Sequence, residues 1–511
     1  MEILGGFLTL LATPSVFLFI ALGVVIGVAV GAMPGMSATA AITLLLPVTF
    51  YMHPLAALAC LYVLGKAGRY GGSITAILFN TPGTVASAAT MIDGYPLTRQ
   101  GRSTAALRMA TIASVSGDLI GDLFLIFGAA YIAAFTERFG PPEYFAIYFM
   151  AFVVIGSVVG DSVAKGLASA ALGVLCALIG TDPITGGQRL TFGSYHLVEG
   201  LGLIPVLTGL FVFSELFDQA HRSLAGGTFG GRPAAGSRDG GTITRAEWRL
   251  CAPVILRSSL IGSVIGALPG IGSAVACFAA YGEEKRRAKR PLLWGRGAIE
   301  GVAAPEAANN AVSGPSMIPL LTLGIPGSTI AALLMGVFLI HGIQIGPTIF
   351  TTSRELVFAL FASGIVGIAG YGLLGYYAGP LFGRLITAMQ PKYVYPFIFA
   401  TAFVAAYSAA NSLFDVYVMT FFGIVGHLMR RFGYSAPAFV IAFVLGRGAE
   451  ETLRQSLLLT DSGFRIFLER PVCLAFLVVA VGVFAWRSAH GLLRARARAV
   501  PEVAVRGGES G

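Results

Sequence analysis

Apolar segments long enough to cross a lipid bilayer follow one another along most of this 511-residue chain. A bilayer-spanning helix needs about 20 mostly apolar residues. Hydrophobic residues make up 56% of the chain and charged residues only 12%, whereas a soluble protein carries about 25% charged residues. The apolar runs are continuous and lack the alternation of a transmembrane barrel. The sequence therefore predicts an all-α polytopic integral membrane protein.

The formal net charge of +9 comes from Lys and Arg in short segments between the apolar runs, such as Glu283–Pro291. Basic loops of this kind orient membrane helices, so we expect a lipid bilayer around the chain and no nucleic acid as a partner. The N-terminus lacks a basic segment and a convincing cleavage site. The apolar run Phe7–Val30 is therefore expected to remain as a first helix.

The sequence shows no signature of a metal or cofactor site. Its five cysteines form no C-x-x-C pair, its six histidines are scattered, and the nucleotide-binding motif G-x-x-x-x-G-K-[ST] does not occur. We expect no metal, no cofactor and no enzymatic activity, and an energy source other than ATP.

Short Gly/Pro motifs recur in the same order in the two halves of the chain. GAMPG at 31–35 recurs as GALPG at 266–270, and NTPGT at 80–84 recurs as GIPGS at 324–328. Two halves whose apolar segments are broken at corresponding places are typical of secondary transporters. Chance recurrence of Gly-Pro dipeptides is the alternative explanation.

A Gly- and Arg-rich stretch divides these halves, and its composition predicts a flexible extramembrane linker. The predicted organisation is a first transmembrane half-repeat at 1–217, the linker at 218–250, a second half-repeat at 251–488 and a basic polar tail at 489–511. The first Gly/Pro motif of each half removes helical hydrogen bonds, which predicts hinges or cavity linings, with static kinks as the alternative. The predicted hinge residues are Gly31, Pro34, Gly35, Gly266, Pro269 and Gly270.

Each half also contains an apolar segment with a polar, turn-forming centre, at Ser73–Gly94 and Ser316–Gly336. The arms on either side of the centre are too short to span a hydrocarbon core of about 30 Å. We expect two re-entrant hairpins, each with two half-helices meeting at a tip, although a proline kink would also produce the pattern. Backbone N–H groups at the start of a half-helix favour an anion. The predicted substrate-binding residues are Asn80, Thr81, Pro82, Gly83, Thr84, Gly324, Pro326, Gly327 and Ser328.

A polar helix face precedes the second hairpin. Glu306, Asn309 and Asn310 lie three and four residues apart, and Ser313 extends the same face. Buried polar groups in membranes are usually functional. Together with Ser73 they are predicted to bind the coupling cation, with Na⁺ favoured slightly over H⁺ because most of the ligands are neutral oxygens. A helix end whose carboxylate faces water is the alternative.

Asp118 and Asp122 lie four residues apart within another apolar run. They could form a proton relay, or they could belong to a stripe that faces a loop or a partner, and the sequence assigns them no role.

These motifs resemble those of the large membrane subunit of the tripartite tricarboxylate transporters, the TctA family. The resemblance extends from about Gly31 to Leu457 and is carried by long stretches including GAMPGMSATAAITLLLPVTF, YGGSITAILFNTPGT, IGTDPITGGQRLTFG, GALPGIGSAVACFAAYGEEK, GVAAPEAANNAVSGPSMIPLLTLGIPGS and NSLFDVYVMTFFGIVGHLMRRFG. Two departures stand out. The segment Leu445–Glu451 reads LGRGAEE, with Arg447 in place of the family's proline, and Asp118 and Asp122 replace small residues.

The resemblance implies an elevator-type transporter subunit in the bacterial cytoplasmic membrane. Its implied partners are a small membrane subunit of about four helices and a periplasmic solute-binding protein that delivers the substrate. The implied activity is cation-gradient-driven import of tricarboxylates such as citrate or of related carboxylates. A channel, a scaffold subunit without its own transport cycle and a membrane-embedded enzyme are the alternatives.

The chain itself offers little extramembrane mass for capturing a substrate. Its longest break, at 218–250, is shorter than a typical domain of about 50 residues or more. The polar loop Thr181–Gly186 with Arg189 is a candidate docking surface for a binding protein, and a cavity-facing turn is the alternative.

Overall fold

The computed structural model describes residues 2–33, 36–136, 138–158, 162–182, 184–224, 242–388, 391–460 and 463–499. Within these residues the chain is almost entirely helical, and its only sheet is the antiparallel pair β1 (Gly180–Thr181) and β2 (Gln188–Arg189). The prediction of an all-α chain is confirmed.

The helices before residue 225 belong to the first half of the chain. They are α1 (Glu2–Ala12), α2 (Ser15–Gly31), α3 (Ala38–Thr49), α4 (Pro54–Phe79), α5 (Ser87–Arg99), α6 (Ser103–Thr136), α7 (Pro141–Val158), α8 (Val163–Ala177), α9 (Leu203–Leu207) and α10 (Ser214–Leu224), with a π-helical segment at Thr208–Phe213.

The helices after residue 241 belong to the second half and the C-terminal region. They are α11 (Arg245–Ala267), α12 (Gly272–Arg287), α13 (Glu300–Ala311), α14 (Met317–Leu323), α15 (Thr329–Ile340), α16 (Ile349–Thr352), α17 (Arg354–Ala388), α18 (Pro391–Ala410), α19 (Leu413–Arg431), α20 (Ala436–Leu458), α21 (Ile466–Glu469) and α22 (Pro471–Ala499).

Four of the described helices are long and apolar enough to cross a membrane. They are Ser103–Thr136, Arg245–Ala267, Arg354–Gly379 and Leu413–Arg431. The number rises to six if each of two sharply bent helix pairs, at the start of the chain and near its end, forms one span. Large apolar side chains such as Leu18, Phe127 and Phe421 are exposed on these helices, as expected for surfaces that face lipid.

The apolar run over 38–64 is long enough for one membrane-spanning helix, but the structure divides it in two. α3 ends at Thr49, and α4 begins at Pro54 after an extended His53. The proline takes the first helical position, where its missing N–H costs nothing. The predicted linker is also shorter at both ends, because α10 continues to Leu224 and a capping box of Thr244 and Glu247 starts α11. Residues 225–241 lie outside the described residues.

Glycines allow one helix pair in each half of the chain to pack closely. α2 lies against α4, where a Cβ on Gly27 would be 2.6 Å from the carbonyl oxygen of Leu64. α11 lies against α13 in the same way, where a Cβ on Gly266 would be 2.7 Å from the carbonyl oxygen of Val312. Only small residues permit such backbone contacts between membrane helices.

The long helices α6 and α17 each pack against the other half of the chain. A Cβ on Gly117 of α6 would collide with the backbone of Ala307 on α13, and a Cβ on Gly367 of α17 would lie 2.5 Å from the side chain of Val63 on α4. The centre of the helical bundle is therefore built from α4, α6, α13 and α17.

Candidate functional site

The two predicted breaks interrupt helices at the places that the motifs indicate. Asn80, the residue after α4, is in the left-handed conformation (φ 57°), and so is Gly324, the residue after α14 (φ 70°). Short non-helical segments follow, and α5 and α15 begin after them. The first break is partly exposed, whereas Gly324–Gly327 are buried.

Matching contacts give the two breaks the same backbone shape. The N–H of Thr81 donates to the carbonyl oxygen of Thr75, six residues earlier, and Ile325 donates in the same way to Pro319. On the far side of each break, the hydroxyl group of Thr84 accepts the N–H of Ser87, and that of Ser328 accepts the N–H of Ala331.

A glycine at each break touches the preceding helix eleven residues earlier in the chain. Gly83 donates its N–H to the carbonyl oxygen of Gly72 at 3.2 Å. A Cβ on Gly327 would lie 2.6 Å from the carbonyl oxygen of Ser316. Neither position has room for a side chain.

The first half of the chain does not contain the expected hairpin. In a hairpin the two arms run in opposite directions, and α4 and α5 do not. A Cβ on Gly72 would meet the hydroxyl group of Ser87, and one on Gly94 would meet the side chain of Ile77. Thr98 also donates to the carbonyl oxygen of Ile77. Residue numbers rise together on α4 and α5, so the two helices run in the same direction. The hydrogen bond from Gly83 to Gly72 explains the shared direction. The non-helical segment after α4 runs back along that helix, so α5 begins beside the middle of α4.

Glu306 on α13 is fully buried and is surrounded by hydroxyl groups. Its Oε1 accepts hydrogen bonds from Ser73 at 2.5 Å and from Thr90, and its Oε2 accepts one from Ser114 at 2.9 Å. These donors come from α4, α5 and α6. The structure thus brings together Ser73 and Glu306, which the sequence predicts as parts of one site, and adds Thr90 and Ser114.

The neighbouring amides on α13 have unused hydrogen-bonding atoms. Asn309 and Asn310 are buried. Asn310 donates to the backbone oxygen of Glu306 at 3.2 Å. The Oδ1 atoms of both residues and the Nδ2 atom of Asn309 have no partner among the described residues. Buried polar groups normally have partners, so these oxygens are available to a cation or another polar ligand.

Ser313 lies one turn further along, beyond the end of α13. It is buried, and its carbonyl oxygen accepts a hydrogen bond from the hydroxyl group of Ser316. Its backbone completes the turn that leads into α14.

Lys66 on α4 forms a buried ion cluster with the two aspartates on α6. Its Nζ lies 2.6 Å from Asp118 Oδ1 and 2.8 Å from Asp122 Oδ1. Tyr62 donates to Asp122 Oδ1 at 3.1 Å, and the hydroxyl group of Tyr371 lies 3.1 Å from Asp118 Oδ2. Neither aspartate faces a loop.

Arg69 lies between the two polar clusters along α4, one turn from Lys66 and one turn from Ser73. It is half-buried, and its Nε has no hydrogen-bond partner within the part of the chain that the structure describes. No carboxylate of those residues forms an ion pair with it. An unpaired guanidinium group among membrane helices is costly unless an anion binds there.

The predicted hinge residues occupy helix ends and close contacts. Gly31 is the last residue of α2, and Gly266 lies one residue before the end of α11. Pro269 and Gly270 form the turn before α12, and Gly270 donates its N–H to the carbonyl oxygen of Gly327 at 3.1 Å. Pro34 and Gly35 lie outside the described residues. The hinge assignment stays a prediction.

Asp93 on α5 connects the first half to the loop before α13. Its Oδ1 accepts the N–H groups of Gly295, Gly297 and Ala298 at 2.8–2.9 Å, and its Oδ2 accepts the hydroxyl group of Tyr281 at 2.8 Å. All the hydrogen bonds of this buried carboxylate therefore hold α5 against α12 and the loop before α13.

The loop between α8 and α9 is joined to α20 by ion pairs. Arg189 binds both carboxylate oxygens of Glu450, at 2.5 and 3.0 Å, and Arg454 binds Asp182 at 2.8 Å. The N–H groups of Ile184 and Thr185 and the Arg454 side chain lower the pKa of the Asp182 carboxyl below its usual range. Docking by this loop stays a prediction, but Asp182 and Arg189 are occupied within the chain.

Arg447, the charged residue in the unusual LGRGAEE segment, contacts the same loop. It donates to the carbonyl oxygen of Glu199 at 3.0 Å. The departure therefore has a structural role in joining α20 to the loop.

Sequence reasoning missed Lys66, Arg69, Thr90 and Ser114. Lys66 and Arg69 carried a usable signal, because two cations occur within one long apolar helix. Thr90 and Ser114 carried none, since hydroxyl groups are common in membrane helices and only helix packing shows which acid they contact.

Comparisons with known proteins show which family the chain matches. The model of the "Tripartite tricarboxylate transporter TctA family" matches residues 17–441. An "Uncharacterized 52.8 kDa protein in TAR-I ttuC' 3'region" of Agrobacterium vitis is 36% identical over 482 residues, which cover 93% of each chain. An "Uncharacterized protein in TAR-II ttuC' 3'region" of the same organism is 38% identical over 42% of this chain and 89% of its own length.

A solved structure of a manganese transporter from Eremococcus coleocola aligns with most of this chain but is not similar to it in structure. It covers 91% of this chain and 95% of its own at 12% identity, and its TM-score is 0.12. The family match over most of the chain, with a multi-pass helical structure, leads to one conclusion. The chain belongs to the tripartite tricarboxylate transporter TctA family.

Proposed function

We propose that this chain is the large membrane subunit of a cation-gradient-driven importer of tricarboxylates, such as citrate, or of related carboxylates. It works in the bacterial cytoplasmic membrane with a small membrane subunit of about four helices and a periplasmic solute-binding protein. We further propose that the two halves are pseudo-repeats that move in an elevator-type cycle, with hinges at the Gly31 and Gly266 motifs. Membership of the family supports the transport function and the two partners.

One observation carries the proposal: the centre of the bundle holds unused polar atoms of both kinds. Arg69 offers a guanidinium group whose Nε has no partner among the described residues, and Asn309 and Asn310 likewise offer amide oxygens beside the Glu306 carboxylate. A guanidinium group suits a carboxylate, and carbonyl-type oxygens suit a hard cation such as Na⁺. The first break follows α4, which carries Arg69, and the second follows α14, the helix after α13. We assign both breaks to the walls of the substrate path.

The test is uptake of labelled citrate by vesicles that contain both membrane subunits. The solute-binding protein is added or omitted, and a Na⁺ gradient, a pH gradient or ATP is supplied separately. We expect uptake that requires the binding protein and the Na⁺ gradient and is unaffected by ATP. Full-rate uptake at micromolar substrate without the binding protein would contradict the partner assignment, and conductance without substrate exchange would indicate a channel.

The Arg69→Gln and Arg69→Lys variants test the anion site in the same vesicles. Glutamine removes the charge, whereas lysine keeps the charge and loses the planar fork that binds a carboxylate through two hydrogen bonds. We expect Arg69→Gln to abolish uptake and Arg69→Lys to raise the substrate concentration at half-maximal rate. Normal uptake by Arg69→Gln would remove Arg69 from the substrate path.

A further inference from the structure

We propose that Lys66, Asp118 and Asp122 form a proton-binding site that is separate from the cation site at Glu306. The inference rests on the proposed transport function, to which it adds a second ion. The three side chains are 0–2% exposed and lie at the contact between α4 and α6.

The charges of this ion cluster do not balance. The three contacting groups, two carboxylates and one ammonium group, carry a net charge of −1, and Arg69, one turn along α4, interacts electrostatically with Asp118 without forming an ion pair. No other Lys or Arg of the described residues forms an ion pair with either aspartate. Because a charge without a contacting counter-ion is costly away from water, binding one proton would make the three contacting groups neutral.

The structure singles out one atom for that proton. Asp118 contacts Lys66 and Tyr371 with its two oxygens, and Asp122 Oδ1 contacts Lys66 and Tyr62. Asp122 Oδ2 is buried and is the only one of the four carboxylate oxygens in the cluster that has no hydrogen-bond partner among the described residues. The proton therefore binds at Asp122 Oδ2.

Two glycines enclose Asp122 and argue against a metal ion at this position. A Cβ on Gly314 would lie 2.6 Å from Asp122 Oδ1, and one on Gly364 would lie 3.0 Å from Oδ2. A hard metal cation needs several oxygen ligands at once. One free oxygen with helix backbones close on two sides suits a proton instead.

The groups around the cluster are accounted for on each neighbouring helix. α4 contributes Tyr62 and Lys66, with Arg69 one turn away, and α17 contributes Tyr371. α13, which carries Glu306, also packs against α6, as do α5, α11 and α14. Their described residues place no titratable group in contact with Asp118 or Asp122.

A short chain of contacts connects the proton site to Glu306. The hydroxyl group of Tyr371 lies 3.1 Å from Asp118 Oδ2 and 3.2 Å from the carbonyl oxygen of Ser114. The hydroxyl group of Ser114 donates to Glu306 Oε2 at 2.9 Å. Since Tyr371 has one hydroxyl proton for two acceptors, the charge on the aspartates affects the position of the residue that holds Glu306.

The experiment compares Asp122→Asn with the unaltered chain at a fixed Na⁺ gradient while the pH of the vesicle medium is varied from mildly acidic to mildly alkaline. Asparagine mimics the neutral state, so we expect the pH dependence of uptake to be lost. Asp118→Asn is a second variant with the same net charge. Asp415→Asn, which changes a buried acid of α19 outside the cluster, is the matched control and should keep the pH dependence.

An infrared measurement on the purified protein gives a readout independent of transport. Titration should change the protonated-carboxyl band in the unaltered chain and in Asp415→Asn, and one component of this change should be absent in Asp122→Asn. The proposal would be overturned if Asp122→Asn gave the same infrared titration and the same pH dependence of uptake as the unaltered chain. If no variant shows Na⁺- and binding-protein-dependent uptake, the proposed function fails, and the infrared titration still decides the proton site.

Discussion

Ser73 on α4 donates a 2.5 Å hydrogen bond to Glu306 on α13, and this contact joins the two halves of the chain in the centre of the bundle. Thr90 and Ser114 donate to the same carboxylate. A carboxylate that is buried among hydroxyl groups and lacks a basic partner can accept a cation without breaking an ion pair.

Glu306→Gln should therefore abolish the Na⁺ dependence of uptake and lower its rate at least about tenfold, since hydrogen bonds to a charged group contribute about 1.5–3 kcal/mol. Initial rates at several Na⁺ concentrations measure this effect. Glu300→Gln changes the first residue of the same helix, outside the hydroxyl cluster, and should leave the Na⁺ dependence intact. A wild-type Na⁺ response in Glu306→Gln would show that the cation binds elsewhere.

Gly83→Val and Gly327→Val should each abolish uptake while the protein still inserts in the membrane. A Cβ on Gly83 would lie 2.8 Å from the Cα of Gly72, and one on Gly327 would lie 2.6 Å from the carbonyl oxygen of Ser316. Gly282→Val is the control, because a Cβ at Gly282 meets nothing within 4 Å. Uptake and membrane yield are measured for all three variants, and normal uptake by both break variants would separate the breaks from the transport path.

Ala89→Cys should form a disulfide with the native Cys277 under mild oxidation. Ala86, Ala89 and Cys277 form one buried apolar cluster between α5 and α12, which depends on α5 running in the same direction as the end of α4. Electrophoretic mobility without reductant reports the crosslink, and Cys277→Ala should remove it. Absence of a crosslink would contradict the direction of α5.

Asp93→Ala should lower the free energy of unfolding by about 3 kcal/mol or more, because several donors to a buried carboxylate lose their acceptor. Trp294 lies beside Tyr281, with ring centroids 5.0 Å apart, so its fluorescence can report unfolding in detergent. Asp93→Asn keeps one oxygen acceptor and should lose less. Equal stability of Asp93→Ala and the unaltered chain would show that this junction contributes nothing.

The contact between Asp182 and Arg454 should persist to a lower pH than an ordinary aspartate would allow. The pKa of Asp182 is lowered in the folded protein. Its contribution to stability is therefore present above the usual aspartate pKa of about 3.9 and is lost as the pH falls through the lowered value. Hydrogen exchange of the loop at 184–189 measures this, and Asp182→Asn should exchange faster even at neutral pH. Equal exchange in both proteins would contradict the prediction.

The helix breaks and part of the candidate site could be predicted from the sequence because their signals are local. Asn80 and Gly324 end helices where the motifs place turns. Ser73 and Glu306, predicted as one set from their polar character in apolar surroundings, are in contact.

The remaining features depend on packing between distant segments. A hairpin tip and a segment that runs back along its own helix have the same local sequence pattern. The direction of α5 could therefore not be predicted from the sequence. The partner of Asp118 and Asp122 is a lysine two helices earlier, and helix spacing on α6 alone cannot identify it. Arg447 likewise acquires its role only through the loop that it contacts.

The hydroxyl groups around Glu306 also bear on the order in which the chain is made. Ser73, Thr90 and Ser114 all precede Glu306 in the sequence, so the ribosome delivers the three donors before the acid that needs them. An acid that enters a membrane without partners is unfavourable. Here the carboxylate arrives last, and its first neighbours inside the bilayer are already present in the same polypeptide.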